Sequence, residues 1–201
     1  MGQNFLINPD VISDIIDFAE ITKEDVVLEI GPGVGFVTEQ LVKHAKKVIA
    51  VELDEEAIKE LEKLECDNLQ IIHNDILKTD LSELTDEKIK IVANIPYYIT
   101  SPIIAHLLGE IDDLENKNRA KIIDIILMVQ EEVARRIVAT ENSAAKQYGL
   151  LTILSQFWAD CSIIRLVGRK SFYPAPKVNS ALVSLKVRNC LLYTSPSPRD
   201  S

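Results

Sequence analysis

The stretch Lys90-Ile91-Val92-Ala93-Asn94-Ile95-Pro96-Tyr97-Tyr98 holds the residue types and spacing that point most directly to chemistry. Ile91-Val92-Ala93 is the apolar run of a parallel strand covered on both faces. Pro96 cannot donate to a sheet ladder, so the strand must stop there. Open α/β sheets bind ligands just beyond the carboxyl ends of their strands. The stop therefore leaves the Asn94 amide, two backbone carbonyls and the Tyr97 ring at the rim of a pocket. Those groups suit the task of holding an exocyclic amino group on a flat base. The same residues alone also describe a proline-terminated strand with a solvent-facing Asn and a packing Tyr.

Three further sites fall at strand ends. Gly31-Pro32-Gly33-Val34-Gly35 sits between Val26-Val27-Leu28-Glu29-Ile30, a strand, and a following helix. Glycine there permits a sharp turn and close approach of a ligand to the backbone. Its spacing is not the Gly-x-Gly-x-x-Gly that favours a dinucleotide pyrophosphate, which argues against a nicotinamide dehydrogenase. Glu52 ends a second strand, where a carboxylate can accept from both hydroxyls of a ribose. Asp75 ends a third, where it could accept from an adenine amino group. Jointly they describe an adenosine-bearing cofactor beside an acceptor site.

The elements that must position these residues alternate. Asn8 caps a helix over 9–20 with Pro9 at its first position. Strands at 26–30, 48–52, 69–72, 91–93 and 122–129 are separated by helices over 36–45, 54–64 and 100–108. Phe36, Val37, Leu41 and Val42 form the inner side of the first of these. Helices over 130–139 and 149–159 follow, then strands 162–167 and 181–187. Repeated strand–helix units predict a doubly wound, Rossmann-like sheet of seven mostly parallel strands, closing in an antiparallel hairpin at one edge. Residues 1–8 carry Phe5, Leu6 and Ile7 and are expected to pack on the domain. Trp158 and Phe157 lie on an apolar helical face and are expected in the core. Residues 1–189 form one domain; the Ser/Pro-rich 190–201 lacks periodicity and reads as a disordered, non-native tail.

At 201 residues and 47% hydrophobic content the chain can bury one substantial core. No apolar run reaches membrane-span length, and no secretory signal pattern is present. The three cysteines and three histidines are dispersed, which argues against a zinc site and a disulfide framework and suits the cytoplasm. The net charge of −9 is unevenly spread: residues 1–128 carry 12 basic against 26 acidic groups, and residues 129–188 carry 9 against 4. Phosphate contacts are therefore sought in the C-terminal third, at Arg135, Arg136, Lys146, Arg165, Arg169, Lys170 and Lys177.

Leu28-Glu-Ile-Gly-Pro-Gly-Val-Gly35, with Glu52, Asp75 and Asn94-Ile-Pro-Tyr97, resembles the S-adenosylmethionine-dependent rRNA adenine dimethyltransferases, a class I methyltransferase family. Gly2-Gln-Asn-Phe-Leu6 is similar to the family's N-terminal signature. Asn94 to Pro102 and Phe172-Tyr-Pro-Ala-Pro-Lys-Val-Asn-Ser-Ala181 resemble the small-subunit (KsgA-type) branch. The resemblance implies that Gln3, Asn4, Leu6, Gly31, Gly33, Glu52, Asp75 and Asn94 contact S-adenosylmethionine. It implies a substrate of two adjacent adenines near the 3′ end of small-subunit rRNA, in a pre-30S-type particle, and a monomeric enzyme without metal. Members continue past the last strand into a helical subdomain that the tail here replaces, so cofactor binding is expected to survive better than docking on rRNA.

An adenine amino nitrogen is a poor nucleophile because its lone pair is delocalised into the ring. Acceptance of its two N–H bonds by the Asn94 side chain and the Ile95 carbonyl raises its electron density and lets it pyramidalise. Alignment of this kind can contribute about 7–11 kcal/mol. No strong base is needed, because the amine becomes acidic once alkylated. Pro96 fixes the carbonyls, and Tyr97 stacks on the extruded base, worth about 1–3 kcal/mol. Phe172, ahead of the stiff Tyr173-Pro174-Ala175-Pro176, is the candidate for the opposite face at the pocket mouth. Two other readings stay open: a large-subunit methyltransferase of the macrolide-resistance type, and a non-catalytic RNA-binding assembly factor on the same fold.

Overall fold

A computed structural model describes residues 4–95, 99–143 and 147–188. Helix α1 (Pro9–Phe18) starts as its sequence dictates: the Asn8 side chain accepts the Asp10 amide at 3.0 Å, and Val11, Ile12, Ile15 and Ile16 are buried. Strands β2 (Val26–Ile30), β3 (Lys47–Glu52), β4 (Leu69–His73), β5 (Ile89–Asn94) and β6 (Ile122–Gln130) are parallel, with β9 (Ser180–Val187) and β7 (Ala159–Val167) beyond them. The order across the sheet is β4-β3-β2-β5-β6-β9-β7. Helices α2 (Thr38–His44), α3 (Glu55–Glu62), α4 (Thr100–Leu108), α5 (Lys117–Lys121), α6 (Glu131–Ile137) and α7 (Leu150–Trp158) complete the layers.

Two apolar clusters lie on the two sides of the sheet. Val26, Leu28, Ile30, Ile91 and Ala93 join one with α4 and α7, while Val27 and Val92 join the other with α1 and α2. Strand side chains alternate faces, so Glu29 and Asn94 project to the α1/α2 side with Val27 and Val92. That alternation puts the two polar side chains on the same face of adjacent strands.

The expected seven-stranded, mostly parallel sheet is present and closes at one edge in the expected antiparallel hairpin, of which β9 is the inner strand. β9 lies between β6 and β7, antiparallel to both, and β7 is the edge. The reason is burial: every residue of β9 except Lys186 is buried, whereas β7 alternates in exposure as an edge strand does. β7 also begins earlier than its apolar run suggests, because α7 passes into it at Ala159 without a loop. Phe36 lies outside α2, which Val37 caps, and is 47% exposed.

Sequence periodicity gives no sign of β1 (Phe5–Leu6) or β8 (Phe172–Tyr173), which pair antiparallel in a two-stranded ribbon. Over its described residues, 4–8, the N-terminal segment packs on the domain as expected through Leu6, while Ile7 is 43% exposed. Leu6 is buried, the Ile7 amide donates to the Ser171 carbonyl at 2.9 Å, and Asn8 Nδ2 donates to Ser171 Oγ at 3.1 Å. Trp158 is in the core as expected, but Phe157 is 36% exposed and meets Trp158 edge-on, centroids 4.6 Å apart. The Arg119 guanidinium lies 3.4 Å over the indole centroid.

Candidate active site

The rim is built by register. Ile30 of β2 pairs with Val51 of β3 and with Ala93 of β5, so Gly31, Glu52 and Asn94 each stand one residue beyond that row. Glu52 pairs with His73 of β4, two residues before Asp75. Four sequence candidates thus share one edge in the order Asp75, Glu52, Gly31, Asn94.

Gly31 (φ 65°) folds the chain over the end of β2, its amide bonded to the Val51 carbonyl at 3.0 Å. A Cβ there would meet the Asn94 carbonyl oxygen at 3.7 Å, so the left-handed φ, more than crowding, selects glycine. Gly33 (φ 59°) directs its amide to Glu52 Oε2 at 3.0 Å. Glu52 Oε1 accepts the amides of Leu53 and Asp54 at 2.8 and 3.0 Å, and the residue is only 6% exposed. The carboxylate expected to hold a ligand's hydroxyls is thus also the keystone of the glycine turn, with acceptor capacity remaining on Oε2. Asp75 Oδ1 caps the 3-10 turn 76–78 by accepting the Leu77 amide at 3.0 Å.

Asn94 is half-buried, and its Nδ2 donates to the Asn4 carbonyl at 3.3 Å. Because Asn4 offers an acceptor, the amide nitrogen faces it and Oδ1 is turned the other way. Asn94, Phe5, Leu6, Glu29, Gly31, Pro32, Phe36 and Val37 line one small cavity. It encloses only about 10 Å³, so a ligand there displaces side chains, and half-exposed Phe36 is placed to yield.

Glu29 is the functional candidate that sequence reasoning passes over. It is 3% exposed, and its Oε2 has no hydrogen-bond partner. Burial pushes its carboxyl up to about 8; the nearby Thr38 hydroxyl pulls back slightly, and the charge of Glu52 adds to the rise. An acid inside Val26-Val27-Leu28-Glu29-Ile30, just before a glycine turn, was the available signal. A buried carboxyl with an unpartnered oxygen facing a cavity suits a cationic group.

Phe172 differs from its expected position at a pocket mouth. It is 3% exposed and belongs to the apolar cluster with Leu6, Met128 and Leu182, while Tyr173 is 71% exposed. Strand alternation in β8 turns one ring in and the next out. Among the basic candidates, Arg135 pairs with Glu131 at 2.7 Å and Arg165 pairs with Asp14. Arg169, Lys170 and Lys177 are exposed on the β7–β9 connection. Gln3, Pro96, Tyr97, Lys146 and the segment 190–201 lie outside the described residues. Among the described residues no cluster of His, Cys, Asp or Glu could hold a metal, and no helix is long and apolar enough to cross a membrane.

A family profile described as "Ribosomal RNA adenine dimethylase" matches residues 1–195. The chain belongs to the ribosomal RNA adenine dimethylase family. It is 47% identical over 189 residues to Ribosomal RNA small subunit methyltransferase A of Clostridium botulinum, and 45% identical over 190 residues to the protein of that name from Clostridium perfringens. These alignments cover 92% of this chain and 65% and 63% of the relatives, so the chain spans just under two thirds of their length. Its fold matches a dimethyladenosine transferase from Plasmodium falciparum (TM-score 0.77, 34% identity, 92% of this chain and 63% of that one). It also matches the 23S rRNA methyltransferase ErmE (TM-score 0.79, 30% identity, 94% and 72%). The seven-stranded architecture is thus shared with both of these structures.

Proposed function

We propose that this chain carries the catalytic unit of an S-adenosylmethionine-dependent rRNA adenine N6,N6-dimethyltransferase acting on small-subunit rRNA. The observation that carries the reading is the Asn94 amide. Its nitrogen is tied to the Asn4 carbonyl, which leaves Oδ1 as an acceptor at the strand end, beside the Glu29–Gly31–Glu52 rim. Identity of 45–47% to proteins named as small-subunit methyltransferases favours this rRNA over the large-subunit one. The fold does not separate the two branches, because ErmE aligns as well as the Plasmodium falciparum dimethyladenosine transferase.

The residues present fit the cofactor. Glu29 would hold its ammonium group, Gly31 and Gly33 would let it approach the backbone, and Glu52 Oε2 and Asp75 would take its ribose and adenine. When bound, the cofactor supplies an electrophilic methyl group. The protein's contribution is positioning: Asn94 Oδ1 and the Ile95 carbonyl would accept the adenine N–H bonds, concentrating the lone pair on N6. Pro96 would stiffen that backbone and Tyr97 would stack on the base. Phe172 would reach the other face only if the β1–β8 ribbon opens. Exposed Arg169, Lys170 and Lys177 would contact phosphates. A cytoplasmic monomer working on a pre-30S-type particle suits these features.

The test is to incubate the protein with labelled S-adenosylmethionine and undermethylated small and large ribosomal subunits, then map the methylated bases. Label on adjacent adenines near the small-subunit rRNA 3′ end supports the reading. Label on large-subunit rRNA supports the macrolide-resistance alternative, and cofactor binding without transfer supports an assembly factor.

A further inference from the structure

The segment 4–8 joins the end of β5 to the β7–β9 connection. On one side it is pinned to the β7–β9 connection through Ile7–Ser171, Asn8–Ser171 and the Leu6–Phe172 pairing. On the other, the Asn4 carbonyl receives Asn94 Nδ2. An asparagine amide has a donor end and an acceptor end, and rotation by half a turn about its last torsion exchanges them at little steric cost. Unrestrained, Asn94 would present its NH2 to an incoming amino group about as readily as its oxygen, and the two donors would repel. A carbonyl at Asn4 removes that ambiguity, because only the nitrogen end can face it.

We infer that Asn4 is a positioning residue for methyl transfer, acting through its backbone carbonyl on the Asn94 amide, and that the strap 4–8 exists partly to hold that carbonyl in place. This rests on the proposed role of Asn94 as acceptor for the adenine amino group. It adds that the strap serves the acceptor as well as the cofactor. The Asn4 side chain is immaterial to this role, so ordinary mutagenesis at position 4 would miss it.

The test replaces Phe5 by phenyllactic acid, which converts the Asn4–Phe5 amide to an ester and weakens the Asn4 carbonyl as an acceptor while keeping every side chain. The corresponding replacement of Ile7 by its hydroxy acid deletes the Ile7–Ser171 bond, loosening the strap with the Asn4 carbonyl still an amide. Two readouts are taken: the Asn94 side-chain NH2 signals in protein labelled with 15N-asparagine, and kcat and KM for transfer to undermethylated small subunits. The inference expects the position-5 ester to shift the Asn94 signals and lower kcat about tenfold or more, with KM for the cofactor little changed. It further expects no additional loss of kcat when the ester is placed in Asn94→Ala. Unchanged Asn94 signals, or equal effects from the esters at positions 5 and 7, would overturn it. If the parent protein transfers no methyl group, the proposed function fails, and the Asn94 signals still decide the positioning claim.

Discussion

Glu52 reaches from the end of β3 across to the glycine turn and accepts the Gly33 amide at 3.0 Å. With the Leu53 and Asp54 amides on its other oxygen, one carboxylate organises the turn on which a ligand would lie. Glu52→Gln must place an NH2 against at least one of these donors. It should weaken S-adenosylmethionine binding by about 1.5–3 kcal/mol, the range for hydrogen bonds to a charged group. It should also lower the melting temperature of the free protein, which Glu52 contacting only the ligand would not predict. Calorimetry and thermal denaturation check the two halves separately, and an unchanged melting temperature would remove the keystone role.

Glu29 makes stability and ligand binding depend on pH in opposite directions. Its carboxyl is raised by burial from the usual 4.5 to about 8. Between those values the folded chain keeps a proton that the unfolded chain has lost, so this group makes stability fall as pH rises. Below about 4.5 both states are protonated, and above about 8 the penalty is complete. A bound ammonium reverses the preference by favouring the carboxylate. Cofactor uptake at pH 7 should therefore release a proton, seen as a buffer-dependent binding enthalpy, and affinity should increase toward pH 8. In Glu29→Gln both the proton release and that part of the stability slope should vanish.

How far the sequence announces this architecture depends on whether the signal is local. The β2–β5 core is legible because each strand is a short apolar run closed by a glycine turn, an acid or a proline, and the shared rim of Glu52, Gly31 and Asn94 follows from parallel register. The β1–β8 ribbon is not legible. Two-residue strands carry no periodicity, and the contacts joining Asn8 to Ser171 span 163 positions. Glu29 is hidden for a different reason: its isolation depends on α2 and β1 packing over it. The place of β9 inside β7 is decided by which strand has two buried faces, a property of the assembled sheet.

That ribbon separates Phe172 from Tyr173 in a measurable way. Phe172→Ala should cost about 3–5 kcal/mol of stability, as for a buried phenylalanine, and Tyr173→Ala less than about 0.5 kcal/mol. Chemical denaturation of the two variants tests this. Similar losses at both positions would mean that the alternation described for β8 is wrong.

Arg119 is 7% exposed, with donor bonds to the carbonyls of Leu108, Asp113 and Leu114 at 2.5, 2.7 and 2.8 Å. Its guanidinium thereby closes the end of α4, the helix that follows the Asn94–Tyr97 stretch, and stacks on Trp158. Lys cannot reproduce that planar fork. Arg119→Lys should therefore lose about 1–3 kcal/mol, chiefly through the buried Leu108 carbonyl left without its partner. Denaturation with tryptophan fluorescence follows both the stability and the ring's surroundings, and a variant as stable as the parent would contradict the clamp.

The distribution of ion pairs sets the last expectation. Arg135 and Arg165 each spend their charge on a carboxylate within the protein, whereas Lys170 and Lys177 are exposed on the connection that carries Tyr173. A phosphate contact made by an unpaired lysine releases a counterion, so its loss should reduce the slope of log affinity against log salt by about 0.7–0.9. Removal of a paired arginine exposes an acid as well, altering affinity through repulsion and the slope less specifically. With the rRNA hairpin titrated at several salt concentrations, Lys170→Ala and Lys177→Ala should each flatten the dependence by that amount, and their combination by about the sum. A double variant that binds with the parent's slope would move the RNA-binding surface away from the β7–β9 connection.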